Sequence, residues 1–422
     1  MVYKTELTII LSRFLRAIKN RDYSAITWTF MSAGFRFFGL LCAIPAVLIL
    51  WILKPVFWLK IGRLTNARIG HLASNTDLFL RRRQLGIYPD GPFYCFLCDP
   101  TQLANRQLLT MWKRVIPVYE SRVLSLVFVG MLPILKRSPF YQDLKMQFNE
   151  YYEFNNAKPS LYFTPDEIEK GRKLLKKMNV NFDKDEFICI FARDNAYLQH
   201  ALPGNDWSYH DVRNSEIDSL IETAKYLIDK GYVVIRMGSI VKKPINFSHE
   251  KMVDYPYSGY RSDFLDIFIA GHCKFMISAG TSGINDLATI FDRPMLAVNI
   301  AEFCYTPFTK NCLYTPKKYK NIDTGEHLNF KDTLKLHSYL RKYTTSYTST
   351  SGLEAIENSS QDTLEATKEM LARSEGRFRY SPEDERLIQA YHKLWDESGS
   401  LWAPNKTPIG IAWLKKNRDL YF

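Results

Sequence analysis

The stretch MISAGTSGINDLA, residues 276–288, runs an apolar segment directly into Gly280-Thr281-Ser282-Gly283 and then into a helical pattern. Met276, Ile277 and Ala279 show no polar alternation, which is the signature of a strand buried on both faces, as in a parallel sheet. A small, hydroxylic turn at the end of such a strand has two readings. It is either a turn with a helix cap, or a cradle in which free backbone N–H groups at a helix start meet an anion. The run matches neither the P-loop nor GxGxxG, so its spacing alone does not choose.

The same strand type recurs around it. FICIFA (187–192), YVVIRMG (232–238), KMVDYP (251–256) and PMLAVNI (294–300) alternate with helical patterns at EIDSLIETAKYLIDKG (216–231) and SDFLDIFIAGHC (262–273). That is a Rossmann-like unit. Upstream, NARIGHLA (66–73) reads as a strand entering the helix DLFLRRRQLG (77–86). FYCFLCDP (93–100) and RVIPVY (114–119) read as further strands, followed by the apolar run VLSLVFVGMLPIL (123–135). The expected fold class is α/β, with two facing Rossmann-like domains, an N-terminal membrane-associating segment and C-terminal peripheral helices. The expected boundaries are 1–63, 64–182, 183–325 and 326–422, with the polar stretch NVNFDKDE (179–186) as hinge.

The composition suits such a chain. Its 422 residues exceed one ordinary core, and 46% hydrophobic with 24% charged residues is a globular balance. Seven cysteines scattered over this length make no disulfide framework, and Cys95 and Cys98 sit three apart on a strand with no second pair to complete a zinc site. Of the +12 net charge, residues 1–63 carry nine basic groups against two acidic ones. No nucleic-acid recognition motif accompanies them, so the expected partner is an anionic membrane surface contacted through residues 5–60. Leu7, Ile10, Leu11, Phe14, Leu15 and Ile18 form one helical stripe with Arg13, Arg16 and Lys19 off it. FFGLLCAIPAVLILWIL (37–53) is uncharged, but 17 helical residues span only about 25 Å, short for a bilayer core. Pro45 is expected to bend or break it. A monotopic or re-entrant anchor is therefore expected over a single span, because a segment that dips, bends and returns would keep the basic helix and the large domain together on the cytoplasmic face of the inner membrane.

In two facing α/β domains a ligand sits beyond the strand carboxyl ends. Arg193 and Arg213 lie in the long loop 192–215, and Arg193 leaves a buried strand where a guanidinium suits a phosphate. Arg236 and Gly238 end another strand. A salt bridge from Arg236 to Asp254 is the structural alternative to a ligand contact, as pairing with Asp194 or Asp211 is for the other arginines. With Gly280, Thr281, Ser282 and Gly283 these residues make the candidate donor site. His71 and Asp77, at the first strand–helix turn, are the candidate catalytic pair, since imidazole titrates near neutrality. Asp183-Lys184-Asp185 lies before a strand and reads as linker charge, so no metal and no cofactor beyond the substrate is expected.

With RIGHLA, FARD, YVVIRMG and SAGTSGINDLA in view, residues 66–305 resemble a bacterial family of GT-B glycosyltransferases distantly similar to the lipopolysaccharide heptosyltransferases. The resemblance implies a nucleotide-sugar donor on the C-terminal domain, an acceptor on the N-terminal domain and metal-independent transfer. Heptosyltransferases carry an aspartate base where this chain has His71. Fucosyltransferases of related architecture hold pyrophosphate with an arginine and a Ser/Thr-rich helix start, resembling Arg193 and Thr281/Ser282 in placement. The membrane segment suits a glycan or lipid-linked acceptor of capsule or lipopolysaccharide assembly. A non-hydrolysing nucleotide-sugar epimerase and a non-catalytic membrane-bound scaffold are the alternatives.

Overall fold

The computed structural model describes residues 23–201, 207–343 and 352–422, together with Ile18. The protein is mixed α/β with parallel sheets and divides into two compact units, Met1–Lys145 and Met146–Phe422.

The first unit opens with helix α1, Tyr23–Leu53. It then builds a parallel sheet from β1 (Leu59–Arg63), β2 (Phe93–Cys98) and β3 (Val118–Glu120), in that order. A wide helical turn, His71–Asn75, runs into α2 (Thr76–Gln84). Helix α3 (Arg106–Val115) starts where Asn105 Oδ1 accepts from Leu108 N at 2.8 Å. Helix α4 (Arg122–Leu135) is capped in the same way by Ser121. Trp112 is fully buried, and its indole N–H donates to Leu72 O, tying α3 to the turn.

Three expectations change here. The first strand is LKIGR at 59–63, not 66–73, because Lys60 and Arg63 read as membrane-flanking charges when they belong to a strand. The 63/64 boundary therefore falls directly behind β1. Gly62 is required in that strand, since a Cβ there would meet the Phe96 ring and Gln142 O at 2.7 Å. Residues 106–115 are helical, so only the end of RVIPVY is strand. Finally, α1 continues unbroken through Pro45, whose exposed ring costs the helix one N–H partner without ending it. The dip-and-return bend is absent. The amphipathic pattern over 5–21 lies outside the described residues except for Ile18.

The second unit begins with α5 (Tyr151–Asn156) and α6 (Pro165–Lys176), the latter with a full capping box at Thr164 and Glu167. A six-stranded parallel sheet follows: β4 (Phe187–Ala192), β5 (Val233–Arg236), β6 (Met252–Asp254), β7 (Met276–Ala279), β8 (Met295–Ile300) and β9 (Leu313–Pro316). Their order is β6-β5-β4-β7-β8-β9. Its helices include α7 (Ala196–Ala201), α8 (Ile221–Asp229), α9 (Asp263–His272) and α10 (Asn285–Thr289). Strands β10 (Lys318–Asn321) and β11 (Leu353–Ile356) form an antiparallel ribbon. Helices α11 (Phe330–Tyr343), α12 (Ser360–Ser374), α13 (Pro382–Glu397) and α14 (Ile411–Lys416) complete the unit.

Two groupings differ from the sequence expectation. Gly171 of α6 lies against the Phe268 ring of α9, so residues 146–182 pack with the second unit. The C-terminal helices are not peripheral. Ala366, Met370 and Leu371 of α12 share a core with Ile188, Val234 and Leu227, and Trp395, Trp402 and Trp413 share another with Ala297 and Tyr314. Buried tryptophans carry the large apolar area that makes these helices integral.

His337 on α11 is wholly buried, accepts from Phe303 N at 3.1 Å through Nδ1, and meets the Phe303 ring edge-on. Burial pulls its pKa from 6.5 to about 3. Between those values the unfolded chain binds a proton that the folded protein refuses. Stability is therefore intact above the unfolded value and declines as pH falls toward the folded one. A pH series of thermal melts should show that decline, and His337→Gln should flatten it.

Candidate functional site

The strand order of the second sheet reverses between β4 and β7. From β4 the chain moves outward to β5 and β6, then returns to β7 and moves the other way to β8 and β9. Such a switch point opens a crevice beyond the strand carboxyl ends, because the two connections leave in opposite directions. The residues there are Arg193, directly after β4, and Gly280, directly after β7. Arg193 N donates to Ala279 O at 2.9 Å and Gly280 N to Val298 O at 2.9 Å, so strand pairing continues to the mouth of the crevice.

Gly280 sits at φ +82°, and a Cβ there would lie 2.1 Å from the carbonyl oxygen of Arg213. The glycine is thus required by both backbone conformation and contact. Replacement by alanine should destabilise the fold by roughly 1–3 kcal/mol, read as a lowered denaturation midpoint. A neutral outcome would mean the 213 loop is free to retreat.

Arg193 is 7% exposed and donates through one terminal nitrogen to His210 O at 3.1 Å and to Asn214 Oδ1. Among the described residues it forms no ion pair. Burial first, then the Arg213 cation, pull its pKa down to about 10, so it remains cationic at neutral pH. A buried guanidinium with only neutral acceptors is poised for an anion. In the turn after β7, which begins where a Cβ on Gly280 would lie 3.3 Å from Arg193 Cβ, the amides of Thr281, Ser282, Gly283 and Ile284 donate to no backbone or side-chain acceptor among the described residues. Thr281 Oγ1 is likewise buried without a partner among them. The helix expected from Gly283 is shorter than its pattern suggests: α10 has five residues, with Ile284 as its cap. Its dipole is correspondingly small, and local amides, not a helix macrodipole, are what this turn offers.

The other two arginines are committed elsewhere. Arg213 forms a forked pair with Glu302 at 2.8–3.1 Å, 17% and 4% exposed respectively, and stacks over the Tyr305 ring at 4.5 Å. Arg236, 2% exposed, pairs with Asp254 at 3.1 and 3.2 Å, and Asp254 also accepts from Ile245 N. The structural alternative is thus realised at Arg236, and Glu302, not an aspartate of its own loop, holds Arg213. Gly238, at φ +148°, turns the chain after β5 with a would-be Cβ 2.7 Å from Val241.

Sequence reasoning passed over the polar groups behind Arg193. Lys317, buried after β9, donates to Asn214 O at 2.9 Å and to Glu357 Oε1 at 3.2 Å, and burial lowers its pKa. Asn299, at φ +58° in the irregular end of β8, reaches Ser215 Oγ at 3.1 Å and accepts from Asn358 N at 2.7 Å. The available signal was the polar residue in the apolar run AVNI and the lysine pair after TP.

No protein-family model and no curated protein matches the chain. Among solved structures, a dodecameric iron-containing heptosyltransferase, TibC, in complex with ADP-D-β-D-heptose, is similar over 60% of this chain at 12% identity and a TM-score of 0.26. This chain spans 63% of the length of that protein. At that TM-score the likeness is distant, and the fold and chemistry described for this chain rest on its own geometry.

In the first unit the two candidate catalytic residues part company. His71 is exposed at the start of the wide turn, and the protein around its ring and then the Arg68 cation lower its pKa, against a hydrogen bond with Asn75 that raises it. Asp77 is fully buried, with Oδ2 accepting from Arg81 Nε at 2.6 Å, and Arg81 is equally buried. Asp77 is therefore a structural carboxylate, turned inward by the helical register that places i and i+4 on one face. Asp183 of the linker triplet is gripped by Arg172 at 2.8 and 2.9 Å.

Proposed function

We propose that the protein is a glycosyltransferase that moves a sugar from a nucleotide-sugar donor to a glycan or lipid-linked acceptor. The observation that carries this reading is Arg193, a buried cation with no ion-pair partner among the described residues, beside the turn whose amides at 281–284 have no acceptor among them, at a topological switch point. That pairing suits a diphosphate better than a neutral ligand. In the proposed reaction the acceptor oxygen bonds to the anomeric carbon as the bond to the diphosphate oxygen breaks, and the diphosphate leaves with the electron pair. Arg193 and the turn amides stabilise the charge that grows there. The acceptor oxygen gives up its proton to a general base as it attacks. We place this chemistry at the cytoplasmic face of a membrane, and the exposed apolar stripe of α1 supports the membrane contact.

A thermal-shift series with UDP, GDP, CDP and ADP and their sugar conjugates tests the donor site. One nucleotide family should raise the melting temperature in a saturable way, worth about 2.7 kcal/mol at a hundredfold excess over Kd. If no nucleotide produces a shift, the donor assignment fails. Donor conversion without any acceptor would instead indicate epimerisation.

A further inference from the structure

Helices α1 and α4 pack more closely than side chains normally allow. A Cβ on Gly39 would lie 2.0 Å from Val127 O, and one on Gly130 would lie 1.9 Å from Arg36 O. The pair runs in one direction. Arg122 sits over the Trp28 ring at 3.4 Å near the start, and Trp51 meets Phe140 just beyond the end of α4. Between these points the inner stripe of α1 is covered: Gly39 and Ala43 are buried, and Val47 and Leu50 pack with Phe128, Leu135 and Ile61. So α1 is fastened along most of its length to the helix layer of its own α/β unit.

Its outer stripe is the reverse. Phe37, Leu41, Ile44, Leu48 and Ile52 recur at three- and four-residue spacing and are all exposed. The most apolar 18-residue window has a mean hydropathy of 2.3 and is only 11% buried. An exposed apolar surface of this extent needs an occupant. Neither helix contains a carboxylate. Basic groups flank the stripe instead: Arg122 at one end, and Lys54, Lys136 and Arg137 at the other. Lys54 Nζ lies 4.9 Å from both the Trp51 and Trp58 rings, an aromatic–cationic arrangement that suits a lipid interface.

We propose that α1 and α4 together form a docking face that lies along, and does not cross, an anionic phospholipid leaflet. A crossing helix would have to leave the layer to which Gly39 and Gly130 bind it, or carry charged Arg122, Lys136 and Arg137 into hydrocarbon at several kcal/mol each. Lying in the plane, the outer stripe enters the acyl boundary while the basic ends meet head groups. This rests on the first unit alone and is independent of the donor site.

The test uses the full chain, purified in detergent, diluted into phosphatidylcholine vesicles with and without 30% phosphatidylglycerol. Co-sedimentation should favour the anionic vesicles by at least tenfold and weaken with salt. The double variant Leu41→Glu/Leu48→Glu should lose at least tenfold in binding while keeping its thermal melt, since both side chains face outward. An amino-terminal tag should remain fully open to external protease, on the same side as the domain. A protected tag would show a crossing helix and overturn the proposal. So would equal binding of the double variant, or a stable dimer that ignores vesicles.

Discussion

Arg193→Ala is expected to slow sugar transfer about 10²–10³-fold, the usual consequence of removing one preorganised donor from a developing anion. The side chain is nearly enclosed, and its hydrogen-bond partners are a carbonyl and an amide oxygen, so among the described residues no carboxylate is bonded to it. Nucleotide-induced thermal shifts, measured against each variant's own baseline, separate this loss from any change in stability. Arg193→Lys should recover only part of the activity, because an ammonium cannot reproduce the planar fork. Full turnover and an unchanged nucleotide shift in Arg193→Ala would remove the diphosphate from the switch point.

Glu302→Ala should produce the largest stability loss of the residues considered, about 3–5 kcal/mol in chemical denaturation, because it strands the Arg213 guanidinium in a site almost closed to water. Replacing both partners, Arg213→Met with Glu302→Leu, should cost far less, since the desolvation of two charges disappears with them. The pair of measurements also assigns Arg213. If its role is to hold Glu302 and Tyr305, the double variant keeps its nucleotide-induced shift. If it contacts donor, that shift is lost although the fold survives.

The strands of the second sheet were legible from composition alone. FICIFA, VVIR, MISA and MLAVNI are buried on both faces, and a run without polar alternation has few other homes. The turn at Gly280–Gly283 and the position of Arg193 after a strand were legible for the same reason. What spacing does not encode is partnership. Arg193, Arg213 and Arg236 look alike in sequence, each in or beside a post-strand loop. Their difference lies with Glu302, 89 residues from Arg213, and with Asp254, brought beside Arg236 by strand register. Asp77 was misplaced through the same gap, because the turn ahead of α2 decides which side of the helix it faces.

The α/β class, the apolar N-terminal segment and the post-strand loops follow from periodicity and from residues whose chemistry is local. The tertiary structure decided that β1 lies ahead of the predicted strand, that α1 is bound along α4 through two glycines, and that the C-terminal tryptophans belong to the core. It also decided which of the three arginines has no ion-pair partner among the described residues. Charge compensation and close packing are long-range contacts, and only folding brings their partners within reach.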